Sequence, residues 1–210
     1  MKDSPALIWD LDGTLLDSYA VIVPSLRDAC REFGVEREES DILREVITDC
    51  VVGFLKKTER ESGVSFDALL KRYTEINAGR NMQIGPIRNT QRLLELLRGR
   101  GIPSYIFTHR GSSTEAVLKN SGLYDYFDEI VCGTDGFPRK PDPSALLYLA
   151  EKHGLDKGRT YYVGDRALDM DCAARAGLPC ILYLPEGSPA IATGRETHII
   201  ADLMEIAELL

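Results

Sequence analysis

No apolar run in this 210-residue chain approaches the ~18 residues of a membrane span. The opening run at residues 6–9 is too short for a secretory leader. A soluble, cytoplasmic protein is therefore expected. The sequence also lacks a Cys-x-x-Cys pair. Its five cysteines, Cys30, Cys50, Cys132, Cys172 and Cys180, are odd in number and widely spaced, which argues against a zinc site, a redox motif or a disulfide framework. They read as reduced core residues. Cationic charge is in deficit as well: 25 Lys plus Arg stand against 33 Asp plus Glu, for a net charge of -8. The resulting field repels a nucleic-acid backbone and an anionic membrane, so neither is expected as the main partner. Internal repeats and low-complexity tracts are absent too.

What is present is enough apolar sequence, 44% of the chain, for a sizeable core. At roughly one domain per 150 residues the length allows one domain with a modest insertion. Two textures divide the chain. From residue 6, and again from about 87, short β-rich runs alternate with helical patterns, the signature of a parallel sheet flanked by helices. Strands are predicted at 6–10, 103–108, 129–132, 161–164 and 180–183, and helices at 90–100, 113–121, 143–153, 168–176 and 202–210. Ser112 and Glu115 have the spacing of a capping box. Between about 17 and 84 no good strand candidate occurs, and three amphipathic patterns follow one another. Ile22, Leu26, Ala29, Cys30 and Phe33 share one face. Leu43, Val46, Ile47, Cys50, Val51, Phe54 and Leu55 share a second, and Phe66, Leu69, Leu70, Tyr73 and Ile76 a third. The expected fold is thus α/β, a Rossmann-like parallel sheet with an inserted α-helical cap. Residues 1–16 and 85–210 form the core and 17–84 the cap, with hinges at 15–18 and 83–86.

Four predicted strand ends carry side chains suited to chemistry. The first ends in Trp9-Asp10-Leu11-Asp12-Gly13-Thr14, where alternation puts both carboxylates on one side and Gly13 suits a sharp turn with positive φ. Two solvated aspartates at a turn are the plain alternative, since Asp169-x-Asp171 repeats the spacing. The second ends in Phe107-Thr108-His109-Arg110-Gly111, a hydroxyl and cationic donors ahead of a helix, which suits an anion. A turn-capping Thr108 and an Arg110 paired with a surface acid are the alternatives there. Lys140 lies between stiffening prolines in Arg139-Lys140-Pro141-Asp142-Pro143. Val163-Gly164-Asp165-Arg166-Ala167-Leu168-Asp169 brings two more aspartates to a helix opening, where compensation of helix charge is their bland role.

Together these motifs resemble the four signature motifs of the haloacid dehalogenase-like hydrolase superfamily, in order and in spacing. The resemblance spans essentially the whole chain and points to the branch with a helical cap after the first strand, that of the phosphoglycolate phosphatases and β-phosphoglucomutases. It implies Mg²⁺ as cofactor, held directly by Asp10, Asp165 and the Asp12 carbonyl, with Asp169 acting directly or through water. It implies Asp10 as nucleophile toward a phosphate ester, Asp12 as acid and base, and Thr108 and Lys140 as ligands of the transferring phosphoryl group. Thr14 supports Asp12 or the loop, Arg110 extends substrate binding, and His109 either extends phosphate binding or points toward the cap. The charge logic agrees, because converging carboxylates repel a phosphate dianion unless a divalent ion neutralises them. An aspartate at Asp12 favours phosphate-ester chemistry over dehalogenation or ion transport, and His109 departs from the asparagine common in relatives. The implied activity is a Mg²⁺-dependent phosphatase acting on a small phosphorylated metabolite such as phosphoglycolate, a sugar phosphate or a nucleotide-like ester, in a monomer or homodimer. A phosphomutase and a non-catalytic phosphate-binding module are the competing readings. Within the cap, Gly53-Phe54 marks either a break that brings Phe54, Lys56 or Lys57 to a site, or a core position flanked by solvated lysines.

Overall fold

A computed structural model of the protein describes residues 4–210, so the first residues of the predicted core segment 1–16 lie outside the described part. The chain forms two compact units. One joins the described residues up to Leu16 with Gly85–Leu210, and the other is Asp17–Ile84.

The first unit is built on six parallel strands, β1 (Ala6–Trp9), β2 (Ser104–Phe107), β3 (Glu129–Val131), β4 (Thr160–Gly164), β5 (Cys180–Tyr183) and β6 (His198–Ile200), in the order β3-β2-β1-β4-β5-β6. All four residues of β1 are buried, as expected for a central strand covered on both faces. Ala6 and Ile8 alternate onto the side where Ala145, Leu146, Leu149, Met170 and Ala173 pack. Those residues come from the helices α7 (Ser144–Lys152) and α8 (Ala167–Ala176). The remaining helices of this unit are α5 (Thr90–Gly99), α6 (Thr114–Asn120) and α9 (Ile206–Leu209). Strand order reverses between β1 and β4, and in such sheets ligands bind outside the strands' carboxyl ends at that switch point.

Several predicted details change. β6 falls outside every predicted strand. Ser112 and Glu115 form no capping box: Ser113 is the N-cap, its backbone is already helical (φ -78°, ψ -7°), and its side chain makes no capping bond. Thr114 Oγ1 instead donates to the carbonyls of Arg110 and Gly111. The predicted 202–210 helix opens with a 3₁₀ turn at Leu203–Glu205, capped by Asp202 and Glu205.

The second unit has four helices, not three: α1 (Tyr19–Glu32), α2 (Glu39–Thr48), α3 (Val51–Ser62) and α4 (Phe66–Arg80). The middle pattern is split at Asp49–Cys50, where Cys50 adopts an extended backbone and its Sγ accepts the Gly53 N–H. Apolar phase is kept across the break, so Ile42, Val46, Phe54 and Leu55 still enter one core with Leu26, Cys30 and Leu69. Phe54 is core, 1% exposed, whereas Phe33 lies past the end of α1 and is 41% exposed. All five cysteines are free, but only Cys30, Cys172 and Cys180 are buried; Cys50 and Cys132 sit in surface turns and are half-buried. Among the described residues no helix is long and apolar enough to cross a membrane.

Candidate active site

Every sequence-predicted site residue lies in the α/β unit, just beyond the carboxyl end of a strand or at the opening of α8. Asp10 follows β1 directly, and Gly13, with φ 86°, turns the chain behind it. Asp165 follows β4, and Asp169 sits at the third position of α8, where its carboxylate accepts the Arg166 N–H. Gly164, the last residue of β4, has to be glycine, since a Cβ there would stand 2.4 Å from the Asp169 Cβ. Asp10, Asp165 and Asp169 each offer an oxygen to one cluster, all within 4.8 Å of one another, and all three are buried.

Lys140, at the tip of the loop after β3, threads its ammonium into this cluster. Nζ donates to Asp10 Oδ1 and, at 2.8 Å, to Asp169 Oδ1. It lies 5.1 Å and 5.4 Å from the ring centres of Phe107 and Tyr162. The buried Tyr162 hydroxyl is 3.2 Å from Asp169 Oδ1 and 3.3 Å from the Phe107 carbonyl. Arg166 Nε is 3.8 Å from Asp165 and 3.9 Å from Asp169. Sequence reasoning missed Tyr162 and Arg166. A tyrosine in the middle of a central strand was the available signal for the first, because a buried hydroxyl needs a partner.

Asp12 projects elsewhere. Its carboxylate receives a two-pronged contact from Arg110, at 2.6 Å from Nη2 and 3.0 Å from Nε, and the Arg110 side chain is 6% exposed. Thr108 accepts the Arg110 N–H at 3.1 Å, as a turn-capping threonine does, and keeps its hydroxyl proton to donate. Thr14 Oγ1 donates to Asp165 Oδ1 at 3.5 Å. His109 Nε2 accepts the main-chain N–H of Lys140 at 2.7 Å.

Burial dominates the electrostatics. It raises the Asp10 pKa to about 6, against the pull of Lys140. It works the same way on Asp169, but there Lys140 and Arg166 prevail and the pKa falls. Burial also disfavours a charged Lys140, yet the attraction of Asp10 and Asp169 outweighs it and leaves the ammonium more basic than usual. For His109, burial and the cations Lys140, Arg139 and Arg166 act together, pulling its pKa down to about 3.

These residues fit a divalent cation. The donor set is all carboxylate oxygen, as hard cations require, and Asp10 Oδ2 is buried with no hydrogen-bond partner. A buried acceptor left without a partner in a residue of such a carboxylate cluster is costly unless a cation meets it.

A parallel sheet of this order, with buried carboxylates and a lysine gathered at its switch point, is the arrangement of a hydrolase built on an aspartate cluster. The family profile described as haloacid dehalogenase-like hydrolase matches residues 7–183, and the chain belongs to that family. It is 34% identical over 191 residues to a phosphoglycolate phosphatase of Rhodobacter capsulatus, covering 86% of this chain and 84% of that one. It is 31% identical to a phosphoglycolate phosphatase of Agrobacterium fabrum, over 85% of this chain and 79% of the relative. Among solved structures, a haloacid dehalogenase-superfamily hydrolase from Geobacter sulfurreducens superposes with a TM-score of 0.78 at 22% identity, covering 99% and 96% of the two chains. At that identity the likeness shows the fold alone.

Proposed function

We propose that the protein is a Mg²⁺-dependent phosphatase for small phosphorylated metabolites, with phosphoglycolate, the substrate named for the curated relatives, as the first candidate and sugar phosphates and nucleotide-like esters after it. The observation that carries this reading is the buried Asp10 carboxylate, clustered with Asp165 and Asp169, with one oxygen on Lys140 and the other without a hydrogen-bond partner.

The Asp10 carboxylate attacks phosphorus and forms an aspartyl-phosphate as the ester bond breaks. Asp12 gives its proton to the departing alkoxide, then takes one from the water that cleaves the aspartyl-phosphate. Arg110 holds the Asp12 side chain in place, and the proton Asp12 takes from water is the one it gives to the next alkoxide. Lys140 and the free hydroxyl proton of Thr108 hold the phosphoryl oxygens, over which charge spreads in the transition state. Thr14 orients Asp165. Asp10, Asp165, Asp169 and the Asp12 carbonyl are the ligands for Mg²⁺. When bound, the ion neutralises the carboxylates so that a phosphate dianion can be held among them.

The Asp17–Ile84 unit serves as the cap. Hydrolysis is favoured over mutase chemistry because a mutase needs a second cationic site for its non-transferring phosphate. Arg27, Arg37, Arg44, Lys57, Arg72 and Arg80 of this unit are each paired with carboxylates of the unit itself, and Lys56, Arg60 and Lys71 are exposed, as on a solvated helix face. No nucleic acid or membrane takes part, and a cytoplasmic monomer or homodimer suffices.

The test is a screen of phosphorylated metabolites in Mg²⁺ that follows inorganic phosphate, with a hexose 1-phosphate and a trace of its bisphosphate included to detect isomer. Phosphate release that is fastest from phosphoglycolate is expected. Isomer formation outrunning phosphate release tenfold, a barrier difference of ~1.4 kcal/mol, would overturn the phosphatase reading.

A further inference from the structure

We propose that His109 is a positioning residue for Lys140: its Nε2 accepts the Lys140 main-chain N–H and so fixes the point from which the lysine side chain reaches Asp10 and Asp169. Sequence reasoning put His109 among the substrate-binding residues, and the geometry gives that nitrogen a different task. The Nε2–N distance is 2.7 Å, the length of a well-formed bond. An acceptor Nε2 carries no proton, so the ring is neutral with its hydrogen on Nδ1.

The histidine is itself anchored from several sides. Gly133, after β3, donates its N–H to the Arg110 carbonyl at 2.8 Å. It approaches so closely that a Cβ there would stand 2.6 Å from the His109 carbonyl oxygen. The Thr108 N–H is held by the Val131 carbonyl at 2.9 Å. The imidazole meets the Phe107 ring edge-on, with centroids 6.0 Å apart, and the Lys140 ammonium lies 5.1 Å over that same ring. One aromatic surface thus places both the histidine that holds the lysine backbone and the ammonium at the far end of the side chain. The loops after β2 and β3 are joined at this point, and an asparagine at 109 is too short to place an acceptor where Nε2 stands. Burial and the nearby cations Lys140, Arg139 and Arg166 keep the ring neutral at physiological pH.

The functional weight of this bond rests on Lys140 holding the phosphoryl group, as proposed above, whereas the bond itself can be read without turnover. The first measurement is nitrogen NMR on the unliganded protein at neutral pH. An acceptor-type Nε2 resonance for His109, with scalar coupling to the Lys140 amide nitrogen across the hydrogen bond, is expected. A protonated Nε2, or no coupling, overturns the proposal. The second measurement compares His109→Gln, which carries an acceptor at the same reach, with His109→Asn and His109→Phe. The substrate is an aryl phosphate in Mg²⁺, and folding of each variant is checked by thermal unfolding. His109→Asn and His109→Phe should lose roughly ten- to a hundredfold in kcat with KM changed less than about threefold, the scale expected for a displaced catalytic group. His109→Gln should restore most of that loss and return the Lys140 Nζ resonance to its wild-type position. A rise in KM with kcat intact, or a His109→Gln variant as poor as His109→Phe, overturns the proposal. If the wild type is inert toward all phosphate esters, the phosphatase reading fails. The coupling and the Lys140 Nζ resonance in the variants then still decide the role of His109.

Discussion

The two units of this chain bury polar groups in different ways. In the α/β unit the buried set includes full charges, Asp10, Lys140, Asp165 and Asp169, gathered at adjoining strand ends. In the Asp17–Ile84 unit the buried polar side chains among the described residues are the hydroxyls Ser18, Ser25 and Thr58. Ser25 and Thr58 donate back to carbonyls one turn earlier, at 2.7 Å from Val21 and 3.0 Å from Phe54. Its charges are left in partly exposed pairs such as Arg37–Glu45 and Arg80–Asp28. Desolvated charge is destabilising unless closely compensated, so a fold keeps it only where it serves something. By that measure the α/β unit gives up stability for chemistry, and the helical unit is built for packing.

The strongest way to break this contrast is to neutralise the nucleophile. Asp10→Asn should lower phosphatase kcat by about three orders of magnitude or more, since an amide of the same shape is a poor nucleophile. The fold should survive, because one buried, partly unsatisfied charge is removed. Near-native turnover by the variant would show that the buried cluster is structural. Second in size, excess chelator should abolish activity and added Mg²⁺ restore it, as expected if Asp10, Asp165 and Asp169 jointly hold the ion. Full turnover in chelator would detach the carboxylate cluster from the chemistry.

The third test moves to the helical unit. Leu69 is fully buried among Leu26, Ile42, Phe54 and Leu55. Leu69→Ala should cost about 2–5 kcal/mol, the range for large-to-small core changes, read as a lower denaturation midpoint. A loss under 1 kcal/mol would mean that this core is loosely packed and that the pairs around it carry the unit.

The same contrast explains what was legible in the sequence. The convergence of Asp10, Asp165, Asp169 and Lys140 could be anticipated because a parallel sheet brings the ends of its central strands to one edge, whatever the intervening loops do. The contacts Arg110–Asp12 and His109–Lys140 could not, since each joins the loop after β2 to a different strand's loop and depends on loop shape rather than periodicity. β6 escaped notice because His198-Ile199-Ile200 is too short to display alternation. The break between α2 and α3 was hidden for the opposite reason. Val46, Ile47, Phe54 and Leu55 continue one apolar phase across it, so the pattern reads as a single helix, although Asp49 has left helical geometry at φ -119°, ψ -90°.

The smallest expected effect asks whether the helical unit's charges matter at all, and Asp28 is where they most could. Its side chain is only 15% exposed and lies between Arg27 on its own helix and Arg80 on α4, at 2.9 Å and 2.7 Å. Burial works to raise its pKa, but the hydrogen bonds from Arg80 and Arg27 outweigh that, and the folded-state pKa falls below the usual carboxylate value. A carboxylate whose pKa is depressed by folding adds stability that is fully present above its unfolded pKa, about 4, and is lost as pH falls through the folded value. Asp28→Asn should therefore lower stability by about 1 kcal/mol at pH 7, the upper end for partly exposed pairs. The gap between variant and wild type should hold steady down to about pH 5 and narrow below about pH 4, as the wild-type carboxyl takes up its proton. Denaturant unfolding across that range reads the gap directly. A gap unchanged at the acid end would assign the effect to the shape and hydrogen bonding of the side chain rather than its charge. No gap at pH 7 would mean that the Arg80–Asp28 pair adds nothing to the packing of α1 on α4, and would sharpen the contrast between the two units.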